Sequence, residues 1–310
     1  MSMQTMMWLV FGALLLFVFV LDLGIFNRKS HEVRFREALA WTLFYVSLAL
    51  LFNGWIYYQE GPIKAMEFFT AYLLEESLSV DNLFVFILIF SYFKVPKAYQ
   101  PKILKWGIIG ALVMRGIFIM TGIQLIERFH WMIYIFGGIL VVTGIKMAFG
   151  GEEAVDLEKN RIVRLARRLI PITSRPYGDR FIIRRMGVTA ATPLFLALLV
   201  IESSDVIFAV DSIPAVLAVS RDPFIVYTSN IFAILGLRSL YYLLANVMEM
   251  FVFLKFGVSV ILTFVGAKML LVDIYHIPIG YSLGTIMGVL TLSILISVTV
   301  RKTEKLEEIG

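Results

Sequence analysis

The chain alternates long apolar runs with short polar breaks, and the runs are longer than core helices of a water-soluble protein need. Crossing the hydrocarbon core of a bilayer takes roughly 20 helical residues. On that length the pattern predicts nine spans, at about 6–26, 37–57, 62–92, 104–125, 131–149, 190–219, 224–248, 256–274 and 279–299. The first run has no basic segment before it and no small-residue cleavage motif behind it, so it reads as a span and not as a leader peptide. The expected fold class is an all-α polytopic membrane protein with about nine transmembrane helices, because in lipid a helix satisfies its own backbone.

Composition supports that class. Of the 310 residues, 59% are hydrophobic and 16% charged, more apolar surface than a soluble domain of this size can keep from water. There is no cysteine, so the chain itself offers no disulfide, thiolate metal site or thiol redox pair. The net charge of +5 does not point to nucleic acid. Lysine and arginine gather in the breaks at 27–36, 93–103 and 150–189 and in the tail from 300, whereas the opposite side carries only Lys64, Arg128 and Arg221. By the positive-inside rule this predicts an N-terminus outside and a C-terminus in the cytoplasm. The one long break, 150–189, contains the basic amphipathic segment NRIVRLARRLIP, expected either to lie along the inner leaflet or to form a solvated charged loop.

Two apolar runs are interrupted by acids in the same way. EESLSVDNLFVF (75–86) and IESSDVIFAVDSIPAV (201–216) align as Glu75-x5-Asp81-Asn82 with Asp205-x5-Asp211-Ser212. The next spans carry Arg115 (ALVMRGIF) and Arg238 (AILGLRSL), and the spans after those carry Lys146 (TGIKMAF) and Lys268 (VGAKMLL). The same order in spans 3–5 and 6–8, three spans apart, predicts an inverted three-helix repeat with a site where the halves meet. Pro62 and Pro193 precede the two acid motifs at similar distances, each suited to a first helical turn. The organisation expected is one transmembrane domain: peripheral spans 1–2 over 1–61, repeat one over 62–149, a cytoplasmic loop over 150–189, repeat two over 190–274, then span 9 and a tail over 275–310.

A charged side chain at the middle of a lone helix costs on the order of 2.5–3.5 kcal/mol to insert, so these groups need partners. The candidate ligands are Glu75, Asp81, Asp205 and Asp211, joined by Glu76, Glu202, Asn82 and Ser212. Arg115, Lys146, Arg238 and Lys268 are candidate counter-charges that orient the carboxylates. Six acids against four bases leave two negative charges, which one divalent cation or two protons would neutralise, provided all ten face one cavity. Six residues turn a helix by about 600°, so the paired acids stand about 120° apart. Either each acid meets a different neighbour or the helix unwinds, with Pro214 in span 6 and Ser77 and Ser79 in span 3 as candidate causes. His31, His130 and His276 fall at span ends, so the ligands are all oxygen, which favours Mg²⁺, Ca²⁺ or Mn²⁺ over zinc or copper. Asp22 and Asn53, polar near membrane depth, read as structural.

The segments YLLEESLSVDNLFVF, ATPLFLALLVIESSDVIFAVDSIPA, DPFIVYTSNIFAILGLRSLYYLL and LFVGAKMLLVDIYHIPI resemble the TerC family, most closely its Alx-like branch within the LysE-type exporter superfamily. The resemblance implies a bacterial inner-membrane protein, an inverted repeat, and manganese export with Glu75, Asp81, Asp205 and Asp211 as the acidic motif. Glu76 departs from it, since the resemblance leads one to expect lysine there. The expected function is Mn²⁺ export by proton-coupled alternating access. Export of Ca²⁺ or another cation, and a membrane scaffold that delivers metal or assists assembly, are the alternatives. The expected partners are Mn²⁺, protons and the bilayer. No enzymatic constellation, resident cofactor or nucleic-acid partner is expected.

Overall fold

The computed structural model describes residues 3–21, 33–149, 164, 168, 170–173, 177–185, 188–247, 253–275 and 277–307. Among these residues nine helices follow one another: α1 (Met3–Leu21), α2 (Phe35–Glu60), α3 (Pro62–Tyr92), α4 (Gln100–Arg128), α5 (Met132–Phe149), α6 (Pro193–Leu217), α7 (Pro223–Val247), α8 (Leu254–Leu270) and α9 (Ile279–Glu307). Each falls on one expected span. Six of them, α2, α4, α5, α6, α7 and α9, are long and apolar enough to cross a membrane by length and composition alone. α3 has the length, but Lys64, Glu67, Glu75, Glu76 and Asp81 interrupt its apolar sequence, and α8 has 17 residues.

The helix starts follow from the prolines. Pro62 and Pro193 lie in the first turns of α3 and α6, where a missing N–H costs nothing. Gly61 turns the chain between α2 and α3 at φ 89°, a backbone region that a Cβ would make strained. Of the two alternatives for the paired acids, unwinding does not occur: α3 and α6 run as unbroken helices through both acid motifs. Pro214 sits in the closing turn of α6, where the chain is already leaving the helix and the Ala218 N–H caps the Pro214 carbonyl. Serines near the acids bond back one turn without interrupting the helix, Ser77 to the Leu73 carbonyl and Ser204 to the Val200 carbonyl at 2.8 Å.

Most of the basic segment NRIVRLARRLIP lies outside the described residues, as do Asp22, His31 and His276. Further along that break the chain forms an antiparallel hairpin that the span pattern does not predict, β1 (Ile182–Arg185) on β2 (Val188–Ala191), pairing Ile182 with Ala191. Thr192 donates to the Arg180 carbonyl at 2.7 Å, fixing the hairpin to the entry of α6.

α3 packs on α6 and α7, α4 packs on the same two helices, and α5 packs along α8, the most extensive contact in the fold. α2 lies against α7, and α1 joins α2 through a cluster in which Phe11, Phe52, Phe68 and Phe232 meet at ring distances of 4.8–6.2 Å. Asn53 on α2 is partly buried, and its side-chain oxygen has no hydrogen-bond partner among the described residues. The α5–α8 approach depends on glycine. A Cβ at Gly266 would lie 2.7 Å from the Gly137 carbonyl oxygen and 2.8 Å from the Val141 nitrogen. One at Gly144 would lie 2.8 Å from the Ser259 carbonyl oxygen. Such small-residue contacts let helix backbones meet closely where lipid supplies no hydrophobic drive between them.

Replacing Gly266 with leucine should lower stability by about 1–3 kcal/mol through overpacking. Gly138→Ala on α5, the helix that Gly266 faces, should be neutral, because nothing lies within 4 Å of that Cβ position. Thermal unfolding of the two variants in detergent tests the contrast.

Candidate ion site

The two acid motifs meet through one arginine. Glu75 of α3 is wholly buried, Arg115 of α4 is 1% exposed and Asp205 of α6 is 4% exposed. The Arg115 guanidinium makes an ion pair with Glu75 through Nη1 and with Asp205 Oδ1 through Nη2 at 3.2 Å. Glu75 and Asp205 are the positions matched in the two motifs, so one acid of each motif shares a single cation. The trio carries a net charge of −1. Glu75 Oε2 and Asp205 Oδ2 have no hydrogen-bond partner among the described residues, so both carboxylates keep unused acceptor capacity. Removing one member of such a buried set exposes the others to the full cost of an unpaired charge.

Asp211, six residues beyond Asp205, faces another neighbour and accepts a hydrogen bond from Thr143 of α5 at 3.0 Å. The separation of about 120° around an unbroken helix accounts for this. Ser212 is buried, and its hydroxyl has no partner among the described residues; Asn82 is buried on α3. The side chain of Asp81 lies outside the described set. Glu202 rests on Gly110 of α4, where a Cβ would come within 2.1 Å of its carboxylate oxygens. With Asp205 and Arg238 it lines a void of about 10 Å³, near the size of one water. Glu76, one residue and about 100° from Glu75, turns towards Gly236 of α7.

The expectation that all ten charges face one cavity is corrected. Lys146 is exposed in the last turn of α5. Lys268 points to α9, donating to Ser282 at 2.9 Å. Continuous helices distribute the acids around their axes, and among the described residues no three His, Cys, Asp or Glu side chains gather closely enough to hold a metal ion.

Motif reasoning missed Glu67. It lies on α3 two turns before Glu75, outside the aligned motifs, and accepts from Lys64 at 3.2 Å and from Ser220 at 2.6 Å. Lys64 also pairs with Asp222 at 2.9 Å. The available signal was the i, i+3 lysine–glutamate spacing at the helix start. Glu67, Lys64, Arg221, Asp222 and Lys268 line a cavity of about 1050 Å³ at this end of the bundle. Beside it Asp273 accepts from Tyr134 and pairs with His130 at 3.1 Å, and these two contacts hold its carboxyl below the usual range. A second cavity, of about 810 Å³, opens at the other end among Arg34, Lys94, Lys97 and Tyr241. α3 links the two: from Glu67 to Ile87 it rises about 30 Å, and Glu75 lies between.

The model of the integral membrane protein TerC family matches residues 60–305, which takes in α3 to α9 with both motifs and the Arg115 bridge. The chain belongs to the TerC family. It is a multi-pass integral membrane protein. A membrane protein of Myxococcus xanthus named STKORF319, described as uncharacterized, is 48% identical over 94% of this chain and 91% of its own. Proteins of Photorhabdus laumondii and Escherichia coli K12, both provisionally named membrane-bound redox modulator Alx, are each 46% identical, over 97% and 94% of both chains respectively. No solved structure matches the chain.

Arg115→Met should destabilise the protein by about 3–5 kcal/mol, because two buried carboxylates lose their counter-charge. Adding Glu75→Gln and Asp205→Asn should recover much of the loss. Unfolding of the single and combined variants in detergent measures the coupling.

Proposed function

We propose that this TerC-family protein exports a divalent cation, Mn²⁺ being the favoured cargo, across the bacterial inner membrane in exchange for protons. The observation that carries this reading is the Glu75–Arg115–Asp205 bridge: buried charge midway along the bundle, drawn from both halves, with a solvent-sized cavity towards each end. Ionisable groups at membrane depth are costly and mark ion pathways. Carboxylate, amide and hydroxyl oxygens suit a hard divalent cation. Protonation of the same carboxylates would release the metal on the far side.

Alternating access needs two halves that can rock, and the contact pattern supports an inverted repeat of α3–α5 and α6–α8. Exchanging the halves turns the α3–α7 contact into the α6–α4 contact, and both are extensive; α5–α8, α3–α6 and α4–α7 map onto themselves. The detail follows the same rule. Gly144 and Gly266 occupy the matched Gly-x-Lys positions, and Gly144 lies on Ser259 while Gly266 lies on Gly137, seven residues earlier in each helix. Loop charge supports the Lys94 end as cytoplasmic and the Glu67 end as outside. Glu67 would then stand in the exit vestibule.

The relatives' provisional name, redox modulator, does not point to thiol chemistry in this chain, which has no cysteine. A change in cellular Mn²⁺ would alter redox balance indirectly. With no nucleophile–base constellation in the sequence, the reading is of a transporter and not an enzyme.

Proteoliposomes should show Mn²⁺ movement with opposing proton flux, abolished by Asp211→Asn and by Asp81→Asn. Competition with Ca²⁺ in the same assay decides the cargo. Binding of Mn²⁺ with no flux in the intact protein would overturn the transporter in favour of a metal-delivering scaffold.

A further inference from the structure

The cavity of about 810 Å³ at the Lys94 end has features that the ion pathway does not require. Arg34, Lys94 and Lys97 line it, all three are exposed, and among the described residues no acid lines it. Among the described residues none of the three enters an ion pair. α2, a helix of 26 residues, begins at this wall with Arg34 at its N-cap position and no side chain capping it. Its first-turn N–H groups add partial positive charge at this wall, and Glu37, the acid of that turn, is not among the residues that line the cavity.

The turn that ends α3 is the second observation. Lys94 sits at φ 49°, with its N–H on the Ser91 carbonyl at 3.1 Å and the Val95 N–H on the Phe90 carbonyl at 2.9 Å. Glycine is the low-cost residue for a left-handed position closing a helix. A lysine there keeps a strained backbone and gains only its charge, a pattern that accompanies binding sites.

The polar floor of the cavity satisfies itself. Tyr241 donates to Gln100 Oε1 at 3.1 Å, and the Gln100 amide donates to the Val95 carbonyl at 3.3 Å. The charged groups that line the cavity among the described residues are thus all cationic, while Phe35, Ile87 and Phe90 supply an apolar wall. A ligand that fits has a phosphate monoanion joined to an apolar tail, and the volume lies within the range of small-molecule sites. Basic pockets between transmembrane helices take anionic lipid head groups by this chemistry.

We propose that this cavity binds the head group of an anionic phospholipid, its phosphate held by Arg34, Lys94 and Lys97. The inference is independent of which ion the protein carries. The test is native mass spectrometry of the full chain, released from nanodiscs of equal phosphatidylglycerol and phosphatidylcholine. The intact protein should retain phosphatidylglycerol preferentially. Lys94→Gly should cut that retention about fivefold while leaving the melting temperature unchanged or raised, since glycine suits the turn; Lys97→Gln should cut it by a similar factor. Equal retention of the two lipids would overturn the proposal, and so would undiminished phosphatidylglycerol on both variants. Binding of millimolar inorganic phosphate with no lipid preference would assign the site to a soluble anion and equally defeat it.

Discussion

A guanidinium placed at membrane depth has to be neutralised by groups that are themselves out of water, and Arg115 meets that demand with acids from two different helices. Because Glu75 comes from α3 and Asp205 from α6, the bridge sets the relative height and rotation of α3, α4 and α6 together. A shift of any one helix by a turn, about 5.4 Å, would leave a charge unpaired in a medium that cannot solvate it. The same low dielectric makes the trio sensitive to a competing cation or a proton, since either could take over the neutralisation that arginine supplies. A contact that fixes the fold is thereby also one that a bound cation or a proton would reset.

The packing around the bridge is arranged so that little else constrains it. α5 and α8 meet backbone to backbone through Gly137, Gly144 and Gly266, forming a pair that can act as a unit. On the other flank, α1 and α2 close over α7 through aromatic rings. Between these flanks, Gly110 gives Glu202 room beside Asp205. The two lysines of the Gly-x-Lys-Met motifs differ. Lys268 is tied to α9 through Ser282, whereas Lys146 is exposed at the end of α5. α9 supplies a partner to Lys268 alone.

The two ends of the bundle differ in chemistry as well. At the Glu67 end, opposite charges interlock, Lys64 with Glu67 and Asp222, and the Asp273 carboxylate bonds to His130 and Tyr134. At the Lys94 end the charged side chains that line the cavity among the described residues are all positive. The first end thus presents carboxylates to its cavity, while the second end is suited to hold the protein against an anionic surface.

The sequence by itself determined the number and extent of the helices, since twenty-residue apolar runs have one stable form in lipid. It also identified the matched acids and Arg115, because charges in such runs are too costly to be incidental. Even the first-turn roles of Pro62 and Pro193 were legible, as proline has few other places in a helix. Only the tertiary structure decided which charges meet. Spacing gave the angle of about 120° between Asp205 and Asp211 but not the neighbours waiting on each face, Arg115 on one and Thr143 on the other. Lys146 and Lys268 read alike in their motifs, and the presence of α9 beside one alone separates them. Glu67 escaped notice because its importance lies in Ser220 and Lys64 converging on it, and Ser220 is 153 residues away in the chain. Local pattern fixes which face a residue occupies; what that face touches depends on helices brought together across the fold.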